Sequence, residues 1–160
     1  MAGQWGLQQR GDDLRRVSRE LRRMGSPEIK KRFRKELRAA AAPLVPKVRS
    51  SIRSIPSQRG YSAAGLRGQM SRATRVEVKT AGRNAGVAIR VDGRKMPSHM
   101  KSLPAMVEGK KRWRHPVFGN QAVWVQQQPH PYFYDTVRVA GPVSRRAVSR
   151  VLDGISRDIS

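Results

Sequence analysis

The chain has 160 residues, of which 34 are Lys or Arg and 11 are Asp or Glu, and its formal net charge is +23. Its length fits a single domain over residues 1–160, and the absence of cysteine excludes disulfides and thiolate metal sites. The sequence has no apolar run of about eighteen residues and no apolar segment near Met1, so we expect neither a membrane span nor a signal peptide.

The positive charge covers the first three quarters of the chain. Residues 1–60 contain 16 basic against 5 acidic residues, residues 61–120 contain 13 against 3, and residues 121–160 contain 5 against 3. Such a surface attracts polyanions, but it can equally dock onto an acidic protein, and 25 arginines against 9 lysines would also suit a GC-rich genome. The hydrophobic content of 38% indicates a thin core or one that neighbouring subunits complete.

Two helices are predicted at the N-terminal end. Residues 12–24 form the first, because apolar residues recur at spacings of three and four: Leu14, Val17, Leu21 and Met24. Ser26 is a plausible N-cap for the second, which extends over residues 27–52 with Pro27 in its first turn. Pro43 and Pro46 predict a kink or a break within it.

The middle of the chain predicts a loop and then a hairpin. Residues 54–71 are rich in turn-forming residues and are expected to form a loop. Valine and isoleucine then alternate with polar residues over 75–92, which predicts two antiparallel strands with their turn at 81–86. A basic loop over 93–112 contains a short helix at Leu103–Glu108.

The last third predicts one more strand and a terminal helix. The strand lies near residues 122–126, and the helix covers 132–157 with a break at Gly141-Pro142. The helix has an apolar stripe formed by Val143, Ala147, Val148, Val151, Leu152 and Ile155. We therefore predict an α+β fold, in which one antiparallel sheet (hairpin 75–92 plus the strand near 122–126) packs against a long N-terminal helix and a C-terminal helix.

The sequence does not contain the common catalytic motifs. It has no nucleophile elbow, phosphate-binding loop, dinucleotide fingerprint or His-Glu-x-x-His zinc motif. His99, His115 and His130 lie fifteen or more residues apart, and no cysteine or carboxylate accompanies them at ligand spacing. We expect no catalytic residue, no cofactor and no metal site.

The most distinctive segment is Trp113–Phe133, which concentrates aromatic residues and prolines. Within residues 110–115, cations flank Trp113, so its ring could stack on a base of nucleic acid. A tryptophan beside Pro116 and Phe118 is more often a core or interface anchor, and we favour that interpretation. No helix-turn-helix, RNA-recognition or zinc-finger pattern is present, so any nucleic-acid binding would be independent of base sequence.

A set of short motifs resembles one protein family. Pro-x-x-x-Gly and Gly-Leu-Arg fall between Pro56 and Arg67, and Val-Glu-Gly lies at 107–109. Trp-Arg-His-Pro-Val-Phe-Gly-Asn begins at Trp113, and Trp-Val-x-Gln and Pro-Tyr-Phe lead into the terminal helix. Over residues 12–156 this order resembles the tail-completion or head–tail joining (neck) proteins of long-tailed bacteriophages, especially those of actinobacterial hosts. Many of those proteins have Pro-Phe before the last helix, where this chain has Pro131-Tyr132-Phe133.

The resemblance implies a non-enzymatic structural protein of the virion neck. Such a subunit would assemble in the host cytoplasm into a homo-oligomeric ring, expected to be hexameric, between head-connector and tail-tube proteins. Because interface cores are enriched in aromatic residues, Met and Arg, we expect these subunit-interface residues: Trp113, His115, Pro116, Phe118, Trp124, Tyr132 and Phe133.

The charge suggests contact with the packaged DNA in such a ring. The expected DNA-facing residues are Arg72, Lys110, Lys111, Arg112 and Arg114, in non-specific contact with phosphates. The competing hypothesis is a stand-alone basic protein that binds nucleic acid without sequence preference.

Overall fold

A computed structural model describes residues 4–6, 11–57, 62–80, 85–117 and 120–159. Six α-helices, two short 3-10 helices (Gly93–Lys95 and Ser98–Met100) and five strands lie within these ranges. The helices are α1 (Gly11–Met24), α2 (Pro27–Ala41), α3 (Leu44–Arg53), α4 (Leu66–Ala73), α5 (Leu103–Glu108) and α6 (Tyr132–Asp158). The strands are β1 (Gln4–Gly6), β2 (Thr74–Lys79), β3 (Gly86–Val91), β4 (Trp113–Val117) and β5 (Asn120–Gln127). The predicted α+β class is confirmed.

The N-terminal helices begin and end where the sequence predicts. Gly25 follows α1 with a φ of 71°, a left-handed conformation that glycine adopts without steric cost. The Ser26 hydroxyl then accepts a hydrogen bond from the Ile29 amide and caps α2. The predicted interruption falls at Pro43, while Pro46 lies in the first turn of α3, where its missing N–H is not needed.

The prediction of a loop over residues 54–71 is wrong for its C-terminal part, which forms α4. Met70 and Ala73 are buried, and α4 packs against α3. A Cβ on Gly68 would lie 2.0 Å from the Ala63 carbonyl oxygen. Gly68 therefore permits close backbone approach inside a helix, a role that composition does not distinguish from that of a turn glycine.

The strands form two separate antiparallel sheets instead of the single predicted sheet. The hairpin β2–β3 is confirmed, and β1 adds to it in the order β1-β3-β2. The strand predicted near 122–126 is β5, but it pairs with β4 and not with the β2–β3 hairpin. Most of the predicted turn at 81–86 lies outside the described residues.

The C-terminal helix α6 continues through Gly141-Pro142, so the predicted break is wrong. A proline inside a helix costs about 3 kcal/mol, and burial on both sides of it offsets that cost. Pro142 is exposed, and α6 packs against α1, α2, α3 and α5. Tyr132 and Phe133 are buried at the start of α6, and from Gly141 onwards the buried positions recur at spacings of three and four: Gly141, Ser144, Val148, Leu152 and Ile155.

Val143 was predicted in the apolar stripe of α6 but is 61% exposed. Ser144, the next residue, is buried in its place. Because α6 is one continuous helix, the face that buries Phe133 also buries Ser144, and no new helix begins after Pro142. α2 and α3 form a middle layer, which packs against the β2–β3 hairpin on one side and against α6 on the other, and the core fills both interfaces. Its largest fully buried side chains include Phe33, Leu37, Met70, Ile89 and Phe133.

A buried carboxylate fixes the basic loop to the sheet. Asp92 is 3% exposed, and its oxygens accept hydrogen bonds from Arg75 Nη2 at 2.8 Å and Arg94 Nε at 3.0 Å. Its own amide donates to the Ala73 carbonyl at 3.0 Å. The hydrogen bond from Arg94 is the main reason that the pKa of Asp92 lies below its ordinary value.

Asp92→Asn should destabilise the fold at neutral pH by about 1–3 kcal/mol, because charge-assisted bonds are lost. A carboxyl whose pKa is lowered on folding stabilises the protein above its ordinary pKa, and this contribution disappears as pH falls through the lowered value. The difference in unfolding free energy between wild type and variant should therefore shrink below pH 3.8, the ordinary value. Urea titrations at several pH values measure it, and a pH-independent difference would contradict this account.

Gly68→Ala should destabilise the fold by about 1–3 kcal/mol, because the added methyl group would overlap the Ala63 carbonyl. Gly154→Ala is the matched control, since Gly154 lies in α6 and a Cβ there would meet nothing within 4 Å. That control should stabilise the fold by about 0.5–1 kcal/mol through helix propensity. Equal effects of the two substitutions in urea unfolding would argue against close packing at Gly68.

Candidate functional site

The β4–β5 hairpin is the least covered part of the described fold. Its two strands contact chiefly each other. Seven of the eight residues of β5, Asn120 to Gln126, are exposed, and only Gln127 is half-buried. A two-stranded sheet without a hydrophobic layer against it is marginally stable alone, so the hairpin depends on how its base is attached to the core.

The base of the hairpin is fixed between α5 and α6. Glu108, the last residue of α5, accepts hydrogen bonds from the amides of Phe133 at 2.8 Å and Tyr134 at 2.7 Å. These amides belong to the first turn of α6, where they have no partner within the helix. The His130 amide also donates to the Val107 carbonyl at 2.7 Å. Hydrogen bonds therefore attach the chain to the core both before β4 and after β5.

Glu108 lies in a low-polarity environment at this junction. Burial raises its pKa above the usual value, and the two backbone hydrogen bonds oppose that change. Burial likewise raises the pKa of Tyr132, whose hydroxyl donates to the Pro104 carbonyl at 3.3 Å. The Val-Glu-Gly motif at 107–109 thus contains the residue that caps the last helix.

One face of the hairpin turns towards the body of the protein. Trp113 is half-buried and packs against the core. Its ring centroid lies 4.9 Å from that of His115, whose Nδ1 is 3.1 Å from the Pro116 carbonyl oxygen. His115 is opposite Val125 in the register, so these side chains share a face.

The opposite face is exposed and aromatic. Pro116 is opposite Trp124, and Arg114 is opposite Gln126. The Arg114 guanidinium carbon lies 5.9 Å from the centroid of the Trp124 ring, within range of a cation–π interaction. The Trp124 indole N–H donates to the Gln121 carbonyl at 2.7 Å, which holds the ring in place although it is 48% exposed.

The sequence around the hairpin has a feature that our sequence analysis missed. No charged residue occurs from His115 to Tyr134, in a chain of which 28% is Asp, Glu, Lys or Arg. Within this neutral segment, Val123 is 50% and Val125 38% exposed. A plot of charge along the chain would have shown it. The neutral segment is an uncharged region, partly apolar and partly amide-rich, on a surface otherwise rich in cations.

The expected subunit-interface residues divide into three groups. Trp124 is exposed, and Trp113, His115 and Pro116 are half-buried on or beside the hairpin. Tyr132 and Phe133 are buried in the core at the base of the hairpin, so they are placed to support a contact surface and not to form one themselves. Phe118 lies outside the described residues.

The expected DNA-facing residues are all exposed but do not share one element. Lys110, Lys111 and Arg112 lead into β4, which contains Arg114. Arg72 lies on α4, whose main contacts are with α3, β2, β3 and the turn at 93–95. Exposed cations also line α2, namely Lys31, Arg32, Arg34, Lys35 and Arg38. The positive surface is therefore broader than the predicted segment.

Comparisons with known proteins give no further assignment. No protein-family model matches the sequence, and no curated protein or solved structure matches it. The described residues contain no group of three or more His, Asp or Glu that could hold a metal ion. None of the described helices is long and apolar enough to cross a membrane.

Glu108→Ala should destabilise the fold by about 1–2 kcal/mol, because two amides of the first turn of α6 lose their acceptor. Glu108→Gln keeps one acceptor oxygen and should lose less. Urea unfolding gives both values, and hydrogen exchange should quicken at Phe133 and Tyr134 in the alanine variant. Unchanged exchange there would show that the cap does not hold the helix start.

Proposed function

We propose that the chain is a structural subunit of a bacteriophage neck, a ring component that joins the head connector to the tail tube. The observation that carries this proposal is the β4–β5 hairpin, a neutral and partly aromatic surface held on a rigid base. The motifs that resemble tail-completion proteins, from Val107 to Phe133, span this hairpin and both of its anchors.

The hairpin has the composition of an interaction surface. Trp and Arg are the residues most often found at energetic centres of protein interfaces, and charged residues are depleted there. Trp124 and Arg114 are already in contact, and the neighbouring residues are uncharged apart from Arg114 itself. Because the Trp124 ring is held by its own hydrogen bond, binding would cost little side-chain entropy.

A ring built from such subunits requires heterologous contacts, in which one patch meets a different patch of the neighbouring copy. The hairpin would supply one of the two patches. In this proposal the ring is hexameric, it contacts head-connector and tail-tube proteins, and the subunit resides in the virion after assembly in the host cytoplasm.

The positive charge suits a position around DNA in transit. Exposed cations on α2 and on the segment 110–114 would contact phosphates weakly and without base specificity. Such contacts exchange rapidly and would not block passage of the duplex. Binding should weaken steeply with salt, and salt-insensitive binding would contradict this role.

One observation favours the alternative of a stand-alone nucleic-acid-binding protein. Trp124 is exposed, Arg114 lies over its ring, and Lys110 to Arg112 follow closely in the chain. Aromatic rings combined with cations are the usual platform for single-stranded nucleic acid. In that alternative Trp124 would contact a base and not another protein.

Trp124→Ala distinguishes the two functions. In a phage genome that encodes the chain, we expect this variant to reduce the yield of particles with attached tails by about tenfold or more, as for an interface centre. Val139→Ala is the matched control, because Val139 is 74% exposed on α6, away from the hairpin. The chain should also be present in purified virions, at the neck in a reconstruction.

The nucleic-acid readout comes from the same variant. If Trp124→Ala leaves tail attachment intact but abolishes binding of single-stranded DNA, the stand-alone alternative is correct. Loss of tail attachment with unchanged duplex binding supports the neck subunit.

A further inference from the structure

The outer edge of β5 has backbone groups without a partner among the described residues. Its inner edge pairs with β4, and the sheet ends there with two strands. Near the turn, the Ala122 amide donates to the Asn120 side chain, and the Gln121 carbonyl accepts from the Trp124 indole. The regular part of the open edge is therefore confined to residues 124–127.

β5 has a register shift between Asn120 and Trp124, where it advances four residues while β4 advances one. From Trp124 to Gln127, however, the edge is regular and lacks the charges and prolines that normally prevent strand pairing. Edge strands are usually protected by lysine, other charges or proline. The outer strand β2 of the larger sheet has Arg75, Glu77 and Lys79, and β4 has Arg114 and Pro116. β5 has neither a charged residue nor a proline. An edge of this kind is expected to be covered by another strand.

We propose that β5 pairs antiparallel with β5 of a second copy of this chain, centred on Val125. The proposal rests on the neck function and adds a state that precedes the ring. The net charge of +23 makes two copies repel each other over most of their surface, and the neutral segment is where they can approach at least cost. A partner with acidic groups would instead favour the basic surfaces.

Residues 124–126 are complementary to themselves in this register. Val125 faces Val125 of the second copy, and Trp124 faces Gln126, so no like charges are opposed. The paired hairpins form a four-stranded sheet in the order β4-β5-β5-β4. Its outer edges are then the two β4 strands, protected by Arg114 and Pro116, and assembly stops at two copies.

The pair belongs to the unassembled chain and not to the ring. The contact has two-fold symmetry, whereas a ring with distinct head and tail sides contains only heterologous contacts between neighbouring copies. The dimer would cover the hairpin until a neck partner displaces the second copy. It would thus prevent premature oligomerisation and protect the open edge from aggregation.

A charge-exchange experiment at Val125 tests the pairing. Val125 is exposed, so Val125→Lys and Val125→Glu should both fold, as circular dichroism would verify. Each variant alone places two like charges opposite each other and should weaken dimerisation by about tenfold or more. An equimolar mixture should restore it, because lysine then faces glutamate.

The measurement is sedimentation velocity of the full chain. The Val125 variants are compared near physiological ionic strength, because high salt would screen the charges they introduce, and wild type is followed over rising ionic strength. Wild type and the mixture should show twice the monomer mass of 18.0 kDa, and each variant alone the monomer mass. Salt screens the repulsion between copies, so dimerisation should strengthen with ionic strength, opposite to DNA binding. Val125→Thr, which keeps a β-branched side chain, and Val139→Lys on α6 should both remain dimeric.

Three results would overturn the pairing: a monomeric wild type at high micromolar concentration and high salt, a dimeric Val125→Lys, or a mixture that stays monomeric. The neck function fails separately. A monomeric wild type that is nevertheless present in the virion neck refutes only the dimer, and a dimer that never enters virions refutes only the neck function.

Discussion

The capping of α6 by Glu108 is the contact on which the rest of the site depends. α6 is the helix against which α1, α2, α3 and α5 all pack, and its first turn receives its acceptors from the end of α5. The chain between these two points is the hairpin. The Glu108 carboxylate thus fixes both the start of α6 and the base of the β4–β5 hairpin. Its partial burial there raises its pKa.

The excess of cations imposes a second constraint, because 34 basic residues cannot all find partners among 11 acids. Several arginine side chains instead donate hydrogen bonds to backbone carbonyl groups. Arg49 donates to Thr74 at 3.0 Å, Arg72 donates to Ala63 at 2.5 Å, and Arg67 donates to the Ile55 carbonyl. Since loops expose carbonyl groups that helices and sheets would satisfy, the guanidinium groups hold the turns around α3 and α4 in place. Part of the basic content is therefore structural.

Periodicity predicted most elements because burial and spacing agree in them. α1, α2, β2, β3 and α5 were found where the apolar pattern placed them. The failures occurred at glycine and proline: Gly68 suggested a loop and Pro142 a break, yet tertiary packing held a helix at each. The pairing of β5 with β4, in a sheet separate from β2–β3, was not predicted, because the alternation of residues within a strand does not indicate which strand it pairs with. The aromatic segment was identified from composition, but only burial separated exposed Trp124 from buried Phe133.

The contrast between the hairpin and the remaining surface has a physical consequence for assembly. Like-charged subunits associate only where short-range attraction exceeds their repulsion, and attraction from apolar contact and backbone pairing is local. In the proposed assembly, a neutral segment of this length in a chain of +23 would confine association to one place. The hydrogen bonds at Glu108 and Val107 fix the ends of that segment to the core. Charge elsewhere would suppress other contacts between copies, so the basic surface would contribute to the specificity of assembly even where it touched no DNA.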